Sequence, residues 1–147
     1  MTAWRDPTVV GVNRERGRSL LPSYSSLDDL QAGRAMRVDL AGRWSFEWLN
    51  GLQGVDLEAL GEAGPRGDQQ ITVPGVWQLQ GHGKPNYLAN RFPPALGTRR
   101  DRIPDIDPEL NEAGVYARTF TVPPDWSTKR VTLVLEGVKA GASVVLN

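Results

Sequence analysis

The chain has 147 residues, and its seventeen basic side chains balance seventeen acidic ones for a formal net charge of zero. That balance argues against nucleic acid or an anionic membrane as the main partner, since both need a basic face, and the length favours one domain. No cysteine is present, which excludes a disulfide framework and a thiolate metal site and fits a reducing compartment.

Residues 1–35 are polar and irregular, running through Trp4, Asp6-Pro7, Asn13-Arg14, an Arg-rich stretch and Pro22-Ser23-Tyr24-Ser25-Ser26. Such a segment cannot bury enough apolar surface to fold alone. Trp4, Val9, Val10 and Tyr24 read as anchors that lay it along something larger. Its first residues, MTAWRDPTVV, hold no apolar run of signal-peptide length, and no stretch approaches the roughly 18 apolar residues of a membrane span. The cytoplasm is the expected location. Leu27 to Ala35 predicts one or two helical turns capped by Ser26, with Asp28 and Asp29 in the first turn where the helix dipole favours acid.

From Met36 the texture changes to strands. Val38-Asp39-Leu40 leads into Gly42, after which Trp44, Phe46 and Trp48 alternate with Arg43, Ser45 and Glu47. This period-2 pattern predicts a half-buried antiparallel strand with the three aromatics on one face. Gly51 to Gln70 is glycine-rich with Pro65 and reads as a surface excursion, with a helical turn around Asp56–Glu62. A short strand, Ile71-Thr72-Val73, then opens the stretch VPGVWQLQGHGKPNYLANRFPP from Val73 to Pro94. Four prolines, three glycines and three large aromatics in those 22 residues predict a long, ordered loop pinned by side chains. Ordered loops on a rigid scaffold are where binding residues concentrate.

Leu96 to Gly114 is a second long loop. Strands return at Val115–Val122, with Tyr116, Phe120 and Val122 on one side and Arg118 interrupting it, and at Arg130–Glu136 and Ser143–Leu146. Short strands separated by turn chemistry, with little strong helix, predict an all-β antiparallel sandwich. The chain stops at Asn147 in what reads as the approach to a hairpin, so the sandwich is expected to be incomplete at its C-terminal edge.

At Gly42-Arg43-Trp44-Ser45-Phe46, at Val73-Pro74, Trp77-Gln78, Gly81, Pro85 and Tyr87, and onward through Asn111, Gly114, Tyr116, Thr119, Phe120, Gly137-Val138 and Asn147, the sequence resembles glycoside hydrolase family 2. The blocks match the N-terminal jelly-roll, or sugar-binding, domain of β-galactosidase-like enzymes. Trp4, Asp6-Pro7, Val10 and Asn13-Arg14 are similar to the extension that precedes it in that branch. The resemblance implies an irregular extension over residues 1–35 and a jelly-roll β-sandwich of the galactose-binding-domain type over 36–147. It further implies the non-catalytic N-terminal part of an enzyme that hydrolyses terminal β-D-galactosides. The two catalytic glutamates, and the Mg and Na ions that parent enzymes often use, belong to a later barrel, so this chain alone is expected to be inactive and to hold no cofactor. The implied partners are the remainder of the glycosidase chain, a second copy in a homo-oligomer and a galactoside. A stand-alone carbohydrate-binding sandwich is the alternative.

One loop position carries the substrate expectation. After Tyr87 the β-galactosidase branch typically reads Thr-Asn-hydrophobic, with the Asn reaching the galactose pocket; here that position is Ala89, and Asn90 comes one residue late. Either the loop shifts by one, or the hydrogen bond is absent and substrate preference differs. A turn-forming Asn90 is the plain alternative. His82 stands where the family commonly has Tyr, and Gly75-Val76 where it has Ser-Asn.

Other residues read more simply. Trp77 at a strand-to-loop corner is expected to pack in the core before it stacks on a sugar, and Trp44, Phe46 and Trp48 to pack on the sheet. His82, the only histidine, lacks neighbours at metal-ligand spacing. Asp101, Asp105, Asp107 and Glu109 do not match a calcium loop, and Asp56, Glu58 and Glu62 have nothing apolar beside them to raise a catalytic pKa.

Overall fold

The structure, a computed structural model, describes residues 6, 8–17, 19, 21–85, 108–109, 111–139 and 141–146. The chain divides into two compact units, residues 1–40 with 122–129, and residues 41–121 with 130–147.

In the first unit the described backbone is held by local hydrogen bonds. Asp6 Oδ1 accepts from the Thr8 amide and hydroxyl at 2.9 and 2.7 Å. Helix α1 (Leu27–Gln31) starts at Ser26, whose hydroxyl accepts from the Asp29 amide at 3.1 Å. This is the capping expected from Ser followed by two acids in the first turn. Arg34 closes the helix end with a 2.9 Å ion pair to Asp29, and Met36 N–H returns to the Ser23 carbonyl at 2.7 Å. A 3-10 turn, Pro124–Trp126, begins at the second residue of the Pro123-Pro124 pair.

The second unit is built on β1 (Gly42–Leu49), whose alternating aromatics supply one apolar face. β2 (Gln70–Val73) and β3 (Ala113–Ala117) flank it in the order β2-β1-β3, both antiparallel. The register sets Trp44 opposite Ile71, Phe46 opposite Tyr116 and Trp48 opposite Gly114. Opposed residues share a face, so β1's three aromatics meet Ile71, Tyr116 and the bare backbone of Gly114 on one side. Phe46, 1% exposed, and Ile71, 3% exposed, are the buried centre of the described residues. Between β1 and β2 lies α2 (Leu57–Ala63), started by Asp56, whose carboxylate accepts from the amides of Glu58 and Ala59 at 3.0 and 3.1 Å.

Two strand expectations are revised. β3 covers Ala113–Ala117 and does not run on to Val122. Beyond its end the Arg118 guanidinium donates to the Ala41 carbonyl at 2.7 Å, tying the chain to the residue that precedes β1. The described residues of 130–139 and 141–146 form no strand, although their apolar residues alternate. Alternation supplies a face but not a partner, and a strand exists only through its ladder. Val131, Leu135, Val144 and Leu146 remain exposed. A Cβ on Gly61 would lie 3.1 Å from Val145 Cγ2, so this stretch passes beside α2. The sheet-rich, antiparallel character holds; the described residues contain one three-stranded sheet.

Candidate functional site

The loop that begins at Pro74 returns over the apolar face of the sheet. β2 ends at Val73, and after Pro74-Gly75 the chain makes a 3-10 turn over Trp77–Gln80, closed by Gly81 at φ 92. A positive φ of that size suits glycine, which lets the chain reverse immediately. His82 N–H then donates to the Trp77 carbonyl at 3.1 Å. This reversal places both rings over Phe46: the Trp77 centroid is 6.4 Å away at 38°, and the His82 ring meets it edge-on at 4.8 Å and 60°. From β3, Tyr116 adds a third ring at 4.9 Å and 59°.

Gly114 makes this arrangement possible. A Cβ there would stand 2.7 Å from Trp77 Cζ3 and 2.9 Å from Phe46 Cε2, so the indole lies directly on the β3 backbone. Gly83 has the same role at the rim, where a Cβ would meet Glu112 Oε2 at 2.8 Å and Trp48 Nε1 at 3.3 Å. The Trp48 and Trp77 indole nitrogens are buried and have no hydrogen-bond partner among the described residues. Burial against these rings pushes the Tyr116 phenol above its ordinary 10.0, since the phenolate would lose hydration.

The opposite face of β1 is polar and tied down. Glu47 takes the Arg66 guanidinium through Nη2 at 2.8 Å and Nε at 3.0 Å, and the Arg66 backbone N–H at 2.7 Å. The side-chain hydrogen bonds first, then the backbone one, hold the Glu47 carboxyl below its usual range. This pins the 51–69 excursion to the middle of the sheet.

The residues singled out from the sequence therefore separate. Trp77 and the Trp44–Phe46–Trp48 alternation serve packing, as their spacing suggests, and His82 packs as a local loop residue. Asn90 and Ala89, the substrate-binding pair, lie outside the described residues, as do Asp101, Asp105 and Asp107 of the acidic loop. Among the described residues no group of three or more His, Cys, Asp or Glu is placed to hold a metal ion, and no helix is long and apolar enough to cross a membrane. Two residues were not legible in advance. Gly114 carries its signal only once Trp77 is known to cross it. Gln80 binds the backbone of Thr72 eight residues earlier, with its Nε2 donating to the Thr72 carbonyl at 2.9 Å and its Oε1 accepting from the Thr72 amide at 2.8 Å.

What the site can do is hold residues 77–83 against the sheet. The chain matches the family model for "Glycosyl hydrolases family 2, sugar binding domain" over residues 38–147. It is 32% identical over 142 residues to a beta-galactosidase of Pseudoalteromonas haloplanktis and 33% identical over 142 residues to one of Alteromonas mediterranea. It is 26% identical over 144 residues to a beta-galactosidase of Yersinia pestis. Each similarity covers 93% of this chain but 13% of the relative, so the chain spans about an eighth of the length of these curated relatives. No solved structure matches it. The chain belongs to glycosyl hydrolase family 2, and the part of that family it carries is the sugar binding domain.

Proposed function

We propose that the chain is the non-catalytic N-terminal part of a β-galactosidase-type glycoside hydrolase, a jelly-roll sandwich that works with the remainder of such an enzyme. The observation that carries this reading is the family match over 38–147 in a chain spanning 13% of its beta-galactosidase relatives. In a retaining glycosidase two carboxylates flank the scissile bond, and the reading assigns that pair, with any Mg or Na ions, to the rest of the enzyme. The chain itself supplies packing, subunit contacts and the 73–94 loop. That loop leaves the Phe46–Trp77–His82 cluster as a rigid base and carries Asn90 and Ala89 to the rim of a galactoside pocket. The absence of cysteine suits a cytoplasmic enzyme.

The test is hydrolysis of a chromogenic β-galactoside by the 147-residue chain, alone and within the full-length enzyme. The reading predicts no turnover by the chain alone. Within the full-length enzyme it predicts a KM change on Asn90→Ala and none on a substitution at Arg43, on the opposite sheet face. Turnover by the isolated chain overturns it.

A further inference from the structure

The ladder between β1 and β2 fixes which backbone groups of β2 point outward. Phe46 N–H donates to the Gln69 carbonyl at 2.9 Å. Hydrogen-bonded pairs alternate with non-hydrogen-bonded ones in an antiparallel ladder, so Thr72, opposite Arg43, directs its N–H and C=O away from β1. Among the described residues β2 is an edge of the three-stranded sheet, and an outward-facing donor and acceptor on an edge are a template for another strand.

Those two groups are occupied by a side chain. The Gln80 carboxamide accepts from Thr72 N–H at 2.8 Å and donates to Thr72 C=O at 2.9 Å, which is the pair of bonds one residue of a neighbouring strand would make. The site has been cleared for it. A Cβ on Gly75 would stand 2.5 Å from Gln80 Nε2 and 2.7 Å from the Thr72 carbonyl, so only glycine leaves room for the amide. The 3-10 turn that ends at Gln80 holds the amide in reach from a fixed distance along the chain.

We infer that Gln80 is an edge guard, a side-chain amide standing in for a β-strand, and that without it the β2 edge pairs with the β2 edge of a second copy of this chain. The second copy is the fitting occupant because an outward N–H and C=O on one residue are self-complementary across a two-fold axis. Thr72 of each copy then exchanges both bonds with the other. The same geometry adds extended peptides to sheet edges generally. The guard also clamps the Trp77 turn to the sheet, so it protects the edge and fixes the loop with one group.

The chain has no cysteine, so a Thr72→Cys substitution gives a single thiol at the proposed contact. Paired about Thr72, the two Cα atoms would lie about 5.5 Å apart, within reach of a short bis-maleimide. Cross-linking is compared with Gln80 intact, with Gln80→Met, which keeps the stem and removes the amide, and with Gln80→Asn, which keeps the amide on a stem one methylene shorter. The inference predicts about tenfold more cross-linked dimer in either variant than with the guard in place. In the chain without the introduced thiol, diluted until it is monomeric, it predicts faster hydrogen exchange at the Thr72 amide for both variants, with circular dichroism confirming that each is folded. Should Gln80→Met unfold, Gln80→Asn decides. Equal cross-linking in all folded backgrounds, or an unchanged Thr72 exchange rate in the dilute monomer, overturns the inference.

Discussion

Phe46 and Tyr116 stand directly opposite each other on β1 and β3, and their rings meet at 4.9 Å and 59°. Cross-strand register thus converts a sequence alternation into a ring contact, and Trp77 and His82 close over the same Phe46 ring from the loop. One side chain, 1% exposed, joins the sheet to the segment that the proposed function needs rigid.

Truncating that side chain should be the most costly single change in the sheet. Phe46→Ala is expected to lose about 3–5 kcal/mol, the usual range for emptying a well-packed aromatic site. Phe46→Leu should lose less. Urea denaturation followed by tryptophan fluorescence measures both, and an effect below about 1 kcal/mol for the alanine variant would contradict this packing scheme.

Gly114 and Trp77 should behave as a coupled pair. Gly114→Ala drives a methyl into the indole, whose Cζ3 would be 2.7 Å away, for an expected cost of about 1–3 kcal/mol. Trp77→Phe withdraws the clashing atoms and removes an indole N–H that has no partner among the described residues. The double variant should be more stable than the sum of the single losses implies, by about 0.5–3 kcal/mol. Strict additivity would contradict the contact.

Much of this was legible in the sequence because it depends on neighbours in the chain. The Trp44–Phe46–Trp48 alternation, the Ser26 cap, the helical turn around Asp56–Glu62 and the short strand before Pro74 are local patterns, and each forms where its residues indicate. The register that brings Gly114 under Trp77 and Tyr116 onto Phe46 depends on pairing over some 70 residues, which no local pattern specifies. The alternation over 131–135 and 143–146 shows the converse, since a suitable face formed no ladder. Gln80's role follows from the side of β2 on which Thr72's amide lies, and that is set by register as well.

The Glu47–Arg66 pair predicts an acid-sensitive term. The folded-state Glu47 carboxyl titrates below its ordinary 4.5, chiefly through hydrogen bonds from the Arg66 side chain. Its contribution is therefore complete above pH 4.5 and is lost as pH falls through the depressed folded value. Arg66 is exposed, so the effect is small and weakens with salt. Glu47→Gln should flatten the acid limb of the stability profile, and an unchanged acid limb would contradict it.

Tyr116 predicts the opposite limb. Its phenol is raised above 10.0 by burial, so the neutral form is favoured in the fold. Tyr116 is 37% exposed, so the effect is small: its contribution is intact below pH 10.0 and declines as pH rises through the folded value. Ultraviolet difference titration should show a tyrosine ionising late, absent in Tyr116→Phe. A Tyr116→Phe variant with an unaltered alkaline profile would contradict the assignment.

The central claim, that this sugar binding domain completes a hydrolase rather than binding sugar by itself, is tested most directly by thermal unfolding of the 147-residue chain with and without about 100 mM galactose. That concentration saturates a site of about millimolar affinity. The account predicts a melting profile indifferent to the sugar. A cooperative transition raised by galactose would contradict it and identify a self-sufficient binding module.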